Sequence, residues 1–258
     1  MLKKIAFTVI LILPALVFFG QYTEQISSDR PGQAYSATTV GDRVFQFQLG
    51  GGYSTPEDAS INTNELATPL TLRYGITERL ELSLDWTFQY FEYVTPLETY
   101  SAAGMNSPAL SARLNIIDEQ NGIVPVLTVQ AGAVMPIDFF EFGSEELLPF
   151  GRLIAGYSIT DKIGMNLNYG LQADSEINDL IHIYVANFSY NFTDTFGGIV
   201  EFYGDVSGRH VARFDYGLYL LVSDNLQLDL NAGGHTLNES TSPFFINGGV
   251  SWRMGRKE

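Results

Sequence analysis

From Leu80 to Tyr90 the chain alternates residue by residue. Leu80, Leu82, Leu84, Trp86, Phe88 and Tyr90 point one way, and Glu81, Ser83, Asp85, Thr87 and Gln89 point the other. A period of two marks a strand with one apolar and one wet face. Comparable runs fall at 44–53, 65–74, 80–91, 109–117, 124–135, 148–158, 163–172, 180–190, 196–203, 210–221, 226–233 and 244–254. Most are close to the roughly 9–11 residues that a tilted strand needs to cross a bilayer, and no stretch carries a helical stripe. The pattern predicts an all-β fold: a membrane-spanning, antiparallel, up-and-down β-barrel of about twelve strands, apolar outside and polar within.

The connections support this reading. Short ones at 75–79, 118–122, 159–162, 191–195 and 222–225 alternate with mostly longer ones at 54–64, 92–108, 136–147, 173–179, 204–209 and 234–243. Membrane barrels carry short turns at one mouth and long loops at the other, and an even strand count leaves both termini at the short-turn end. Three short turns share a pattern. Tyr74, Tyr157 and Tyr190 each close a strand, Thr77-Glu78, Thr160-Asp161 and Thr193-Asp194 form the turn, and Leu80, Ile163 and Phe196 open the next strand. Tyrosines repeated at that level suit an interfacial girdle, where ring and hydroxyl meet different media. A soluble β-sandwich alternates too, with its apolar face packed inward. Here the apolar faces are aromatic on nearly every strand, and the opposite faces are small and polar, as in Gly164, Asn166, Asn168, Gly170 and Gln172.

Composition narrows the function classes. The formal charge of −15 excludes nucleic acid as a partner, since phosphate binding needs a basic footprint. Solvated loops account for the acidity; a cation-attracting lumen is the sharper alternative. The absence of cysteine removes disulfides, thiolate metal sites and a lipid-modified cysteine anchor. At the start, Lys3 and Lys4 precede an apolar run from Ile5 to Phe19 broken by Thr8 and Pro14. That is a signal peptide cleaved after Gly20, too short for a spanning helix. The expected organisation is therefore a signal peptide at 1–20, a polar lead at 21–42, a barrel at 43–254 and a short tail at 255–258. Within the lead, Ser28-Asp29-Arg30-Pro31-Gly32 reads as a turn or strand-entry segment.

His182, His210 and His235 show no metal-ligand spacing, so no catalytic residue, metal site or cofactor is expected. A lipid-modifying Ser-His-acid enzyme is the distant third among functional readings. More informative are charges within the strands. Alternation turns Arg73, Glu81, Asp85, Arg113, Glu201, Arg213, Asp215, Gln227, Asp229, Asn231 and Arg253 inward, because an arginine facing lipid at mid-membrane costs about 2–4 kcal/mol. They are candidates to line a pore; the rival is a fully paired barrel filling. In the loops, Tyr100, Phe139 and Phe140 are candidate ligand contacts, because exposed rings are costly in water and should cover the mouth, enter the barrel or lie at lipid headgroups. Gly50-Gly51-Gly52 permits strand curvature or close packing.

Five motifs carry a family resemblance: Asp29-Arg30-Pro31-Gly32, the run from Tyr74 to Leu82, the hairpin from Ala155 to Asp161, the run from Leu220 to Leu230, and Gly248 to Arg253. Through them the chain resembles the outer-membrane transporter family named for the meta-pathway of phenol degradation. The resemblance implies an outer-membrane barrel that takes up small, often apolar or aromatic compounds. Its partners would be outer-membrane lipid and a small solute, and it leaves the oligomeric state open. It supplies no catalytic residues. Members commonly end on an aromatic, whereas Trp252-Arg253-Met254 is followed here by Gly-Arg-Lys-Glu, so the insertion signal would rest on Trp252 or an internal strand. The expected function is a channel for small solutes, with a closed structural or surface-binding barrel as the alternative.

Overall fold

The computed structural model describes residues 23–55, 62–94, 98–118, 124–174, 180–207, 209–236 and 244–254. The expected signal peptide and C-terminal tail lie outside them. The strands are β1 (Phe45–Ser54), β2 (Asn62–Gly75), β3 (Leu80–Val94), β4 (Thr99–Met105), β5 (Ala109–Ile117), β6 (Val126–Val134), β7 (Leu148–Ser158), β8 (Ile163–Ala173), β9 (Leu180–Asn191), β10 (Phe196–Ser207), β11 (Arg209–Ser223), β12 (Leu226–Thr236) and β13 (Phe245–Met254). Every strand except β4 takes part in one closed antiparallel ring. Neighbours in sequence pair with each other, β3 pairs with β5, and β1 pairs with β13 from Phe45↔Met254 to Ser54↔Phe245. Twelve strands thus close the barrel, as the alternation predicts.

β4 departs from the expectation of a loop at 92–108. β3 runs past the barrel body, and its outer half pairs with β4 from Phe88↔Met105 to Val94↔Thr99, while its inner half pairs with β5 from Leu80↔Leu114 to Asp85↔Ala109. Ser101-Ala102-Ala103-Gly104 has no apolar alternation, because a ribbon beyond the bilayer needs backbone pairing but no greasy face. The same reasoning extends β10 to Ser207 and starts β11 at Arg209, where a loop was expected from 204 to 209. His235, expected in a surface loop, lies in β12 opposite Phe214.

The facing follows the parity of the sequence. Leu66, Leu82, Leu110, Leu153, Leu167, Phe188, Val200, Leu218, Leu230 and Trp252 are exposed on the outer wall, where lipid takes the place of a protein core. Tyr74 and Tyr190 stand exposed at the short-turn end of that belt. The buried interior is polar: Gln46, Gln48, Arg73, Glu81, Arg113, Asn115, Gln130, Asn187, Glu201 and Asp215 are all shielded from solvent. Burying so many polar groups is tolerable only if each finds partners, and the barrel wall alone does not supply them all.

Candidate functional site

The missing partners come from the lead segment. Residues 23–44 enter at the short-turn end, rise inside the barrel, turn at Pro31-Gly32-Gln33 and descend to β1. Entry is fixed by Arg253, whose guanidinium donates to the carbonyls of Thr23 at 2.9 Å and Glu24 at 2.7 Å and to Asn225 Oδ1 at 2.9 Å. The descending leg is held by the Thr39 hydroxyl on the Glu78 carbonyl and by the Val40 amide on Glu81 at 2.9 Å. The two legs are tied together by the hydroxyls of Ser27, Ser36 and Thr38, mutually 2.6–2.8 Å apart, and by the Ser36 amide donating to Asp29 at 2.8 Å. Ala37 completes the fit, packing in a small apolar cluster with Val126 and Ile154.

Charged contacts then dock this hairpin to the wall. Arg113 grips Asp29 with two hydrogen bonds of 3.0 and 2.6 Å, and Arg73 stands 3.7 Å from the same carboxylate. Arg73 is itself held by Glu81 through two bonds of 2.7 and 2.8 Å. Arg30 reaches Asp229 with bonds of 3.2 and 2.9 Å. The cross-strand pair Gly50 and Gly249 makes room for it, since a Cβ at either position would collide with the Arg30 guanidinium. At the tip, the backbone amides of Gln33 and Ala34 donate to Glu201 at 2.5 and 3.1 Å, and Asn187 adds a third bond at 2.7 Å. Gly32 has φ of +99°, and a side chain there would strike the Glu201 carboxylate, so the tip demands glycine on two counts. Asp215, opposite Glu201 in the sheet, accepts from the Gln33 side-chain Nε2 at 3.4 Å.

The inward candidates therefore fall into three groups. Arg73, Glu81, Arg113, Glu201, Asp215 and Asp229 contact the hairpin or one another, and Arg253 clamps the hairpin's entry. Arg213 stands half-exposed above the tip, 3.8 Å from Asp205. Asp85 is half-exposed and accepts from the Thr71 hydroxyl at 2.6 Å. Sequence reasoning missed Asp29, Arg30 and Tyr35, because nothing local places a polar lead inside a lumen. It also missed Arg152 on β7, where Phe150 and Ile154 share its inward face and Leu153 lies outward, so alternation has no contrast. Arg152 lies 3.8 Å above the Tyr35 ring.

Two cavities flank the hairpin. One, about 440 Å³, opens towards the long loops and is lined by Gln33, Tyr53, Glu65, Tyr203, Arg213 and Phe245 among others. The other, about 270 Å³, lies towards the short turns among Ser28, Pro31, Ala34, Asn166, Asn187 and Gln227. Phe139 and Tyr100 are exposed at 80% and 62%. Phe140 packs against Phe139 and against Trp86, a β3 residue alternating with the lumen-facing Asp85 and Thr87. The loop rings are thus not gathered around either cavity. His182 and His210 face outward, each hydrogen-bonded at 2.6 Å to a tyrosine of the neighbouring wall, Tyr169 and Tyr184 respectively. Among the described residues no three His, Asp or Glu side chains converge to hold a metal.

A family profile described as "Putative MetA-pathway of phenol degradation" matches residues 28–254. Comparison with curated proteins gives no match. Among solved structures, an outer membrane channel from Pseudomonas putida F1 aligns with a TM-score of 0.72 at 12% identity, covering 87% of this chain and all of the other. The NanC porin aligns at 0.53 with 9% identity, over 81% of this chain and all of that one. The KdgM porin, crystallised with disordered oligogalacturonate, aligns at 0.55 with 9% identity, over 81% of this chain and 99% of that one. At these identities the likeness is one of fold.

Proposed function

The chain belongs to this phenol-degradation MetA-pathway family, and from that premise we propose that it works in the outer membrane as a channel for small solutes, with the inserted hairpin as its constriction. One observation carries the reading. Two cavities open towards opposite mouths of the barrel, and both are bounded by the same hairpin, Gln33 on one side and Pro31, Ala34 and Ser36 on the other. A barrel built as a rigid scaffold gains nothing from two such chambers. A passage closed by one removable layer has this shape. The short-turn end faces the periplasm, and the hairpin enters from there. Passage requires the hairpin to shift within the lumen, which its many polar contacts permit: each bond lost to the wall can be replaced by water.

The rival is a permanently closed barrel in which the same pairing serves stability alone. Cross-linking separates the two in a chain that has no native cysteine. A Cβ at position 156 would stand 2.9 Å from Cβ of Ala37, closer than the about 3.5–4.5 Å of a disulfide, so the two sites face each other and the hairpin must ease slightly away from the wall to accept the bond. The Ala37→Cys, Gly156→Cys double variant, reconstituted in a planar bilayer, is expected to be silent when oxidised and to conduct once reduced. Wild-type protein that neither conducts nor admits solutes to proteoliposomes would sink the channel reading.

A further inference from the structure

Asp85 and Arg152 are lumen charges without a counter-ion among the described residues. We propose that Asp85 and Arg152 are the charge-selecting pair of the passage, Asp85 drawing cations and Arg152 drawing anions at the level where the outer vestibule meets the hairpin. This inference rests on the channel reading.

Several other charges facing the hairpin are matched, while the buried Asp215 and the vestibule's Glu65 take neutral donors. Asp29 has Arg113 and Arg73, Glu81 has Arg73, Asp229 has Arg30, and Arg213 has Asp205. Glu201 instead collects three N–H donors. A matched charge presents a dipole to a passing ion, and its field dies away quickly. Asp85, by contrast, takes one hydroxyl hydrogen bond from Thr71, and among the described residues no cation stands within ion-pairing distance of it. The Arg152 guanidinium donates to Gln130 Oε1 at 3.0 Å and lies over the Tyr35 ring. The ring face attracts a cation through its quadrupole but leaves the net charge in place, and among the described residues no carboxylate pairs with it.

Position reinforces chemistry. Asp85 and Arg152 are half-exposed, whereas Ser83, Ser111, Arg113 and Gln130, inward-facing in the layer beneath, are buried. The two charges therefore sit on the wet side of the hairpin-filled section. In a narrow aqueous passage walled by lipid, an unmatched fixed charge raises the local concentration of its counter-ion. Selectivity is accordingly expected from this pair rather than from the paired arginines.

The test is the reversal potential of the full-length protein in a planar bilayer under a KCl gradient. A unit charge roughly 7 Å from a permeating ion in a water-like medium changes that ion's local concentration about 2- to 3-fold. Arg152→Gln is expected to raise the potassium-to-chloride permeability ratio by about that factor, and Asp85→Asn to lower it. Arg152→Lys and Asp85→Glu should keep the wild-type ratio, which a purely structural role would not ensure. Conducting channels whose ratio is the same in wild type and all four variants would overturn the inference alone. A shift in the same direction from both neutralisations would also overturn it, since that marks a loosened hairpin. A wild type that carries no current would remove the channel reading and this inference together.

Discussion

Asp29→Asn is the most revealing single change, because Asp29 joins the hairpin to two wall arginines at once. Its carboxylate is 10% exposed. Burial pushes its pKa up, but the Arg113 and Arg73 guanidiniums, with hydrogen bonds from Arg113 and the Ser36 amide, outweigh burial and bring it from 3.8 to about 2. A carboxylate held below its free value stabilises the docked state fully above 3.8, and that stabilisation is lost as pH falls through about 2. The drop corresponds to about 2 kcal/mol of docking. A second route gives a similar size. Removing one partner of a buried pair costs about 3–5 kcal/mol, and Arg113 keeps Glu81 at 3.6 Å and the Tyr35 ring at 4.8 Å, which moves the cost towards the low end. A loss of about 2–3 kcal/mol shifts the docked-to-undocked ratio by about 30- to 150-fold. Ala37, 2% exposed when docked, is the reporter: as Ala37→Cys it should react with a membrane-impermeant maleimide at a rate that tracks the undocked population. Adding Asn at 29 should accelerate labelling by at least about tenfold and raise the open probability in bilayers. After correction for thiol ionisation, that acceleration should be constant from pH 8 to pH 5. Equal labelling rates with and without Asp29, in a barrel that still shifts its gel mobility on boiling, would refute the docking energetics.

Gly32→Ala forces a side chain into a φ of +99° and against Glu201. It should free the hairpin tip by about 1–3 kcal/mol, read as faster Ala37→Cys labelling with unchanged strand content by circular dichroism. On the outer wall, Leu218→Arg places a charge in the lipid belt and should cost about 2–4 kcal/mol in refolding into lipid vesicles. The inward Ser189→Arg, on β9 and facing the lower cavity, should cost far less; equal penalties would contradict the assigned facing.

Which side of each strand meets lipid was legible from the sequence, because a period of two leaves one choice of facing and a misplaced arginine is costly. Leu80 to Tyr90 and the stretch 226–233 needed nothing beyond their own alternation. The closed ring of twelve followed from the number of such runs and from the alternation of short and long connections. Loop-like chemistry hid β4 and the outer ends of β10 and β11, because strands beyond the bilayer have no apolar face to display. What occupies the lumen was decided by tertiary structure. Asp29 meets Arg113 across 84 residues, Arg30 meets Asp229 across 199, and the Gln33 amide meets Glu201 across 168. Contacts at such separations leave no local periodicity. The lead reads as a polar turn because its order comes from the wall that receives it, and Asp85 and Arg152 stand out only once the hairpin has matched the charges around them.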